Sequence, residues 1–310
     1  MQKLFYKYFE EWVKEYKAGT IARVTMEKYI NDARRIKELA PDMKMKDLNR
    51  ASYQSLLNRF AETHERTTVR DFHHHLRSCI LDAFDEGDID RDPTRKAVVK
   101  GCMATRKKKP KFLSQEELQK LMKVLKLGKT PNADWLIWLI WLIAKTGARF
   151  SEALALTAGD FDFDKRTLRI CKTWDYKHGG GFTPTKNKSS NRIIELDWET
   201  LMRFSTLLQG MEADQMIFVK EGKNIYSTTY NDQLERACKE AGIKVISIHG
   251  LRHTHASVLF AAGVSLPSVA KRLGHSNTAT TQKVYLHVIA ELEQKDYSLI
   301  QGVVAGITAR

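Results

Sequence analysis

The chain has 310 residues, enough for two domains that each bury a core, and its 43% hydrophobic and 28% charged residues are ordinary for a globular protein. Its longest apolar run, residues 135–144, is too short to span a bilayer, no signal peptide precedes the first helical pattern, and the four cysteines form no CxxC pair. We therefore expect a cytoplasmic protein without disulfides, and the net charge of +14 favours a polyanion such as nucleic acid as partner.

The first hundred residues carry apolar stripes at helical spacing and few strand signals. Gly19, Pro41 and Gly87 interrupt the pattern, which is typical of short helices joined by turns. The spacing predicts a compact bundle of four short helices over residues 1–103. Its stripes lie within residues 4–16, 26–36, 48–60 and 69–84.

A run of three histidines, His73 to His75, lies on the fourth predicted helix. Consecutive residues fan around a helix, so they do not converge on one metal ion. We interpret the run as part of a polar surface that includes Arg70 and Arg77, which are candidates for DNA binding.

Apolar periodicity is absent from residues 104–112, which contain five basic residues and no acidic one. This composition predicts a cationic linker. Such runs are usually only solvated, but a basic strap between two domains can also follow a duplex. The candidate DNA-binding residues in it are Arg106, Lys107, Lys108, Lys109 and Lys111.

The second predicted domain, residues 113–310, is mainly α-helical with one small antiparallel sheet, an α+β class. Ser114 and Glu117 form a capping-box pattern at its start. Residues 135–145 predict a buried helix, and a further helical stretch follows through Leu156. The sheet is expected from the alternating segments 167–171 and 191–196. Later helices are expected at residues 197–209, 228–241, 249–262, 266–273 and from 278 towards the end.

Two familiar motifs are incomplete. Gly128-Lys129-Thr130 resembles the end of a phosphate-binding loop, but Lys123 stands where its first glycine is needed. His249 and His253 have the spacing of a zinc protease helix, but Gly250 replaces the glutamate. We therefore predict no nucleotide cofactor and no metal.

Five polar motifs remain in the second domain, at helix starts and loop tips where apolar packing does not demand them. In chain order they read TGARFSE, TKNK, HGLRHTH, LGHS and VYLH, and they begin at residues 146, 185, 249, 273 and 284. Together and in this order the chain resembles the tyrosine recombinases, the family of phage and mobile-element integrases. The resemblance covers essentially the whole chain as a core-binding domain plus a catalytic domain.

The resemblance implies attack by a tyrosine on a DNA phosphate, giving a 3′-phosphotyrosine and a free 5′-hydroxyl. Tyr285, ten residues after His275, matches the nucleophile. Glu152 matches an acidic residue that positions the groups around it. The residues matching phosphate ligands and the general acid are Arg149, Lys186, His249, Arg252 and His275.

Several alternatives stay open. Lys186 matches the general acid that protonates the leaving 5′-oxygen, but Lys188 is an alternative for this role because hairpin register cannot be determined to two residues. Tyr297 is a weaker candidate for the nucleophile than Tyr285. His253, His255 and His287 are expected to be structural or exposed. The alternatives in function are a type IB topoisomerase-like enzyme and a non-catalytic DNA-binding or bridging protein.

The resemblance also implies partners and assembly. The expected substrate is double-stranded DNA held in a C-shaped clamp at recombination sites, with a homotetramer on two sites and a monomer or weak oligomer without DNA. Accessory DNA-bending or excision factors are further expected partners. No association with a membrane is expected. Many related integrases carry an extra N-terminal domain for arm sites, whereas here the core-binding helices begin at residue 1. Either the protein is of a simpler type or that domain is missing from this sequence. The tail from about residue 287 is expected to contact a neighbouring protomer.

Overall fold

The computed structural model describes residues 2–102, 112–127, 135–185, 187–220, 222–277 and the single positions 282 and 304. It divides into two compact units, Met1–Lys107 and Lys108–Arg310. No helix in these described stretches has the length and apolar character needed to cross a membrane.

The N-terminal unit is a helical bundle around an aromatic core. Phe9 packs against both Trp12 and Tyr29, with ring centroids 5.8 and 6.2 Å away, and Phe72 packs on Phe60 at 4.2 Å. Asn49 caps the third helix by accepting from backbone amides. The helices are α1 (Phe5–Tyr16), α2 (Arg23–Leu39), α3 (Arg50–Ala61) and α4 (Arg66–Asp85).

The histidine run has a structural role at two of its three positions. The His75 Nδ1 lies 2.6 Å from a carboxylate oxygen of Asp32 on α2, and the ring stacks on Tyr29. His73 shares a hydrogen bond with the Tyr53 hydroxyl, whereas His74 is exposed. The run is therefore not simply a solvated surface. His73 and His75 are half-buried, and each bonds to a neighbouring helix of the bundle.

The C-terminal unit is also mostly helical, and its core is organised around the apolar helix α6. Ser114 and Glu117 form the expected capping box at the start of α5. The helices described before the sheets are α5 (Gln115–Val124), α6 (Trp135–Thr146) and α7 (Phe150–Leu154), so the third ends two residues earlier than predicted. Those after the sheets are α8 (Trp198–Leu207), α9 (Ser227–Glu240), α10 (Ile248–Ala261) and α11 (Leu266–Leu273).

The predicted antiparallel sheet is present, together with a second sheet that the sequence did not predict. Strands β1 (Phe161–Asp162), β2 (Thr167–Ile170) and β5 (Arg192–Glu195) form the first in the order β1-β2-β5. Strands β3 (Lys172–Trp174) and β4 (Phe182–Pro184) pair in a separate hairpin. The hairpin was missed because its strands have three residues each and enclose three glycines, a composition typical of a loop.

Candidate active site

The candidate site is built at three places in the C-terminal unit. Arg149 precedes α7 and Glu152 lies within it, His249 and Arg252 share α10, and His275 follows α11. On α4 in the other unit, Arg70 is exposed and Arg77 half-buried. The predicted site residues outside the described residues are Lys186, Tyr285, Arg106, Lys107, Lys108, Lys109 and Lys111.

The start of α10 brings one histidine and one arginine to the same side of the helix. The Ser247 hydroxyl accepts from the Gly250 amide and caps the helix. His249 and Arg252 are three residues apart, the spacing that places side chains on one helix face. Arg252 is only 3% exposed and is held by the protein, whereas His249 keeps part of its surface accessible to solvent.

Arg252 is held in place by two backbone carbonyls. Its guanidinium donates to the Gly147 oxygen at 2.7 Å and to the Leu273 oxygen at 2.6 Å. Gly147 leads into α7, and Leu273 is the last residue of α11. The planar fork of one arginine therefore joins the two segments that carry Arg149 and His275.

Glu152 is a buried carboxylate that accepts hydrogen bonds from two arginines. Its side chain is 1% exposed, the Arg149 guanidinium lies 2.6 Å away, and Arg192 lies 2.9 Å away. The Arg149 backbone amide also donates to it at 2.9 Å. Burial alone would raise the pKa of Glu152, but Arg192 and Arg149 outweigh it and lower that pKa. Glu152 is therefore an ionised anchor for Arg149.

Two glycines in the sequence motifs are required by close approach. Gly147 and Gly274 both have φ of +68°, in the left-handed region that disfavours other residues. A Cβ on Gly147 would lie 2.8 Å from the His255 ring, and one on Gly274 would lie 2.9 Å from the Arg192 guanidinium. These glycines let the segments that carry Arg149 and His275 pack directly against the rest of the site.

Both candidate histidines have lowered pKa values. Loss of water and the charges of Arg252 and Arg149 lower the pKa of His249. Burial and the same two arginines, with Arg192, lower the pKa of the half-buried His275 to about 4. At neutral pH both rings are therefore neutral and can donate one N–H to a phosphate oxygen.

His255 has a structural role, as expected for it from the sequence. Its Nδ1 lies 3.1 Å from the Ala144 carbonyl, and its Nε2 accepts from Arg272 at 3.0 Å. Burial, together with Arg272, lowers its pKa to about 3, so the ring is neutral. A neutral ring with Nδ1 protonated satisfies both contacts.

The loop between the two sheets adjoins the residue that follows His275. The Asn187 side-chain amide donates to the Ser276 hydroxyl at 3.4 Å, and the Thr185 hydroxyl donates to Asn191 at 2.7 Å. Lys188, the competing lysine, is exposed at the start of a 3-10 turn, Lys188–Ser190. This part of the loop is therefore near the candidate phosphate ligands.

Sequence reasoning missed Arg192, which is buried in this cluster and pairs directly with Glu152. Strand β5 alternates buried and exposed residues, and Arg192 and Ile194 share its buried face. The available signal was a basic residue at an inward position of an otherwise regular strand. Such a residue must find a charged or carbonyl partner inside the protein.

The fold and the site define a mostly helical protein with a cluster of arginines and neutral histidines suited to binding a phosphate group. Residues 111–291, more than half of the chain, match the model of the phage integrase family. The chain therefore belongs to the phage integrase family.

Two curated relatives are integrases or recombinases by name. The integrase of Staphylococcus phage L54a is 33% identical over 177 residues, which cover 51% of this chain and 50% of the relative. The tyrosine recombinase XerC of Bifidobacterium longum is 29% identical over 153 residues, covering 49% and 43%. The chain thus spans about half the length of these relatives.

Solved integrase structures share the fold. The Tn1549 transposon integrase in complex with a circular intermediate DNA has a TM-score of 0.77 and 16% identity, covering 94% of this chain and 99% of that one. A lambda integrase dimer bound to a core site has a TM-score of 0.63 and 16% identity, covering 90% and 76%. At this identity the likeness establishes the architecture, which is the predicted mainly α class with a small antiparallel sheet.

Proposed function

We propose that this protein is a site-specific DNA recombinase that cleaves and rejoins strands through a 3′-phosphotyrosine intermediate. The observation that carries the proposal is the cluster around Glu152, in which Arg149 and Arg252 are fixed beside His249 and His275. Membership of the phage integrase family supports it.

In the proposed reaction the Tyr285 oxygen attacks the scissile phosphorus and the bond to the 5′-oxygen breaks. The phosphodiester is kept as a phosphotyrosine, so no external energy source is needed and a second 5′-hydroxyl can reverse the step. Attack by an incoming strand's hydroxyl on that intermediate completes the exchange.

Arg149 and Arg252 would stabilise the negative charge that develops on the non-bridging oxygens. A guanidinium suits this role because its planar fork matches two oxygens, and both guanidiniums are already oriented by a carboxylate or by carbonyls. His249 and His275, neutral at physiological pH, would add hydrogen bonds without further cationic crowding.

Lys186 is proposed as the general acid that protonates the leaving 5′-oxygen, with Lys188 as the competing residue. Both lie in the loop between the sheets, and the described part of that loop contacts Ser276 beside His275. An alkoxide is a poor leaving group, so a nearby proton donor accelerates the departure.

The remaining proposals concern DNA and assembly. Arg70, Arg77 and the basic residues 106–111 would bind phosphates of recombination-site DNA, in a core-binding domain (1–103) and linker (104–112) attached to a catalytic domain (113–310). We further propose action on DNA in the bacterial cytoplasm by four protomers on two sites, with accessory DNA-bending or excision factors. The tail from about residue 287 would join neighbouring protomers. The DNA complexes named for the Tn1549 and lambda integrases support the choice of substrate.

The test is covalent trapping on a nicked suicide substrate. DNA fragments from the source genome that carry recombination sites supply the substrate, and Tyr297→Phe is the matched control. Tyr285→Phe should bind this DNA and form no adduct, while Tyr297→Phe should form the wild-type amount. An adduct in Tyr285→Phe would place the nucleophile elsewhere. Plasmid relaxation by the wild type without site dependence would indicate a topoisomerase instead.

A further inference from the structure

Arg192 is a buried arginine in the candidate site and is not among the proposed phosphate ligands. It begins β5, and its side chain is 4% exposed. Removing a guanidinium from water is unfavourable unless charged and polar groups inside the protein replace the lost hydration. The identity of its partners therefore indicates what this arginine does.

Arg192 joins three separate segments. It donates to Glu152 on α7 at 2.9 Å, to the Arg272 carbonyl on α11 at 2.7 Å, and to the Ser190 carbonyl in the turn before β5 at 2.9 Å. Glu152 in turn holds Arg149, and α11 leads directly into His275. One side chain thus links the loop between the sheets to the segments that carry two proposed phosphate ligands.

The carboxyl end of α11 receives three arginines on three consecutive carbonyls. The Arg192 side chain donates to the backbone oxygen of residue 272. The Arg252 side chain donates to that of residue 273 at 2.6 Å, and the Arg149 side chain to that of residue 274 at 3.4 Å. The last carbonyls of a helix lack partners within the helix and carry its negative dipole end. The three guanidiniums are therefore arranged in order along one helix end.

Arg192 also packs against the turn that leads into His275. Its guanidinium occupies the space that a Cβ on Gly274 would need, at 2.9 Å. Gly274 caps α11 in the left-handed conformation. Because it has no side chain, the Arg192 guanidinium can pack directly against this turn.

We propose that Arg192 is a positioning residue for the recombination reaction. It holds Glu152 against Arg149 and fixes the end of α11. The last carbonyl of α11 accepts from Arg252, and His275 follows shortly after this helix. The inference rests on the proposed function, because positioning is meaningful only for the strand cleavage that these residues would perform.

The charge on Glu152 provides a readout that a merely structural role would not change. The charged groups that face Glu152 in the described residues are Arg149, which caps the same helix, and Arg192, from β5, and His275 lies beside the same arginines. Burial favours the protonated carboxyl, and these two cations oppose it. Without Arg192 the pKa of Glu152 should rise, so the carboxylate and its grip on Arg149 should be lost as pH falls through the raised value.

The experiment compares single-turnover cleavage and DNA affinity in the full-length chain. Arg192→Met should lower the cleavage rate constant about a hundredfold, the scale for misplaced catalytic groups, while the DNA dissociation constant stays within about twofold. Arg192→Lys should recover part of the rate, because a lysine can pair with Glu152 but cannot also span both carbonyls. Arg169→Met is the matched control, since Arg169 lies on the adjacent strand β2 and pairs with Asp160 at 3.5 Å.

The pH profile separates positioning from folding. Cleavage by Arg192→Met should fall on the acid side at a higher pH than in the wild type, and adding Glu152→Gln should remove that difference. Independently of cleavage, nuclear magnetic resonance of labelled histidines should show the His275 pKa rising from about 4 in Arg192→Met, because one nearby cation is gone. Arg169→Met should leave both readouts unchanged.

Three outcomes would overturn the inference. They are wild-type cleavage by Arg192→Met, a rate loss matched by an equal loss of DNA affinity with an unshifted pH profile, and an unchanged His275 pKa. If Arg192→Met does not fold, Arg192→Lys decides, since a wild-type rate in that variant would exclude positioning by the fork. If the wild-type chain forms no covalent adduct with DNA, the proposed function is contradicted, not the role of Arg192. The histidine titration would still test whether Arg192 lies close enough to His275 to lower its pKa.

Discussion

The two units of the chain bury different kinds of side chain. In the described part of the N-terminal unit, the buried residues are apolar or aromatic apart from Thr94. Its polar partners lie at the edge of the core, as where the Trp12 indole donates to Asp82 at 2.8 Å. The C-terminal unit buries Glu152, Asp160, Arg192, Arg252 and His255, besides several hydroxyl groups.

This difference shows where the chain accepts a cost in stability. Burying charge is unfavourable unless every group is paired, whereas burying an aromatic ring is favourable. The described core of the N-terminal unit buries aromatic and aliphatic side chains and no charged one. The C-terminal unit departs from this pattern around Glu152 and α11, and there the candidate phosphate ligands gather. Buried, paired charge therefore marks the site better than the basic surface does.

The largest effect is expected from the proposed proton donor in the C-terminal unit. Lys186→Ala should slow cleavage of ordinary DNA by about two to four orders of magnitude. A substrate with sulfur at the bridging 5′ position should restore most of the rate, because a thiol has a pKa of about 8.5 and can leave as the thiolate without a proton donor. Rates on both substrates are measured for Lys186→Ala, Lys188→Ala and Arg149→Ala.

The three variants give distinct outcomes. Arg149→Ala should not be rescued by sulfur, because its role is on the non-bridging oxygens. Rescue of Lys188→Ala in place of Lys186→Ala would move the general acid by two residues. If sulfur rescues neither lysine variant, the proton comes from another group, and His249 is the next candidate.

The second comparison sets a buried arginine of one unit against an exposed arginine of the other. Arg252→Met should lower the cleavage rate by about two to three orders of magnitude, since it removes a preorganised donor to the developing charge. Arg34→Met on α2 should leave it unchanged, because Arg34 is exposed and its pair with Glu38 contributes little. The measurement is the single-turnover cleavage rate of each variant on the suicide substrate. Equal losses of rate in the two variants would contradict the contrast between the units.

The third comparison tests whether the N-terminal unit depends on packing alone. Phe72→Ala should reduce the free energy of unfolding by about 3–5 kcal/mol, because Phe72 is 1% exposed and packs on Phe60. Phe84→Ala on the same helix should cost less than about 1 kcal/mol, because Phe84 is 40% exposed. Denaturant unfolding followed by circular dichroism measures both, and similar losses would mean that α4 is not held by its buried face.

The smallest effect concerns the basic linker. Neutralising Lys107, Lys108 and Lys109 should weaken binding to all duplexes alike, because lysines on phosphates carry no sequence information. The slope of log affinity against log salt should flatten by up to about one unit per lost contact. Binding titrations at several salt concentrations check this, and a change in sequence preference with an unchanged slope would refute it.

Much of the fold was predictable because its signals are local. The stripe on α4 with Phe72 and Leu76, the capping box at Ser114 and the apolar helix α6 each follow from residues close in sequence. The short hairpin β3–β4 was not predicted, since its three-residue strands are stabilised by pairing across a glycine loop. The start of α2 at Arg23 was also placed too late, because the apolar stripe that predicted it begins at Met26.

By itself the sequence determined the fold class, the family resemblance and the order of the motifs, since residue type and spacing along one chain carry that information. Only the tertiary structure decided that His73 and His75 are structural, that Glu152 holds two arginines, and that Arg192 belongs to the site. The physical reason is that a buried charge is defined by its partners. Arg192 and Glu152 are forty residues apart, and Arg192 and the Arg272 carbonyl are eighty. No periodicity within a strand or helix encodes a contact across such a distance.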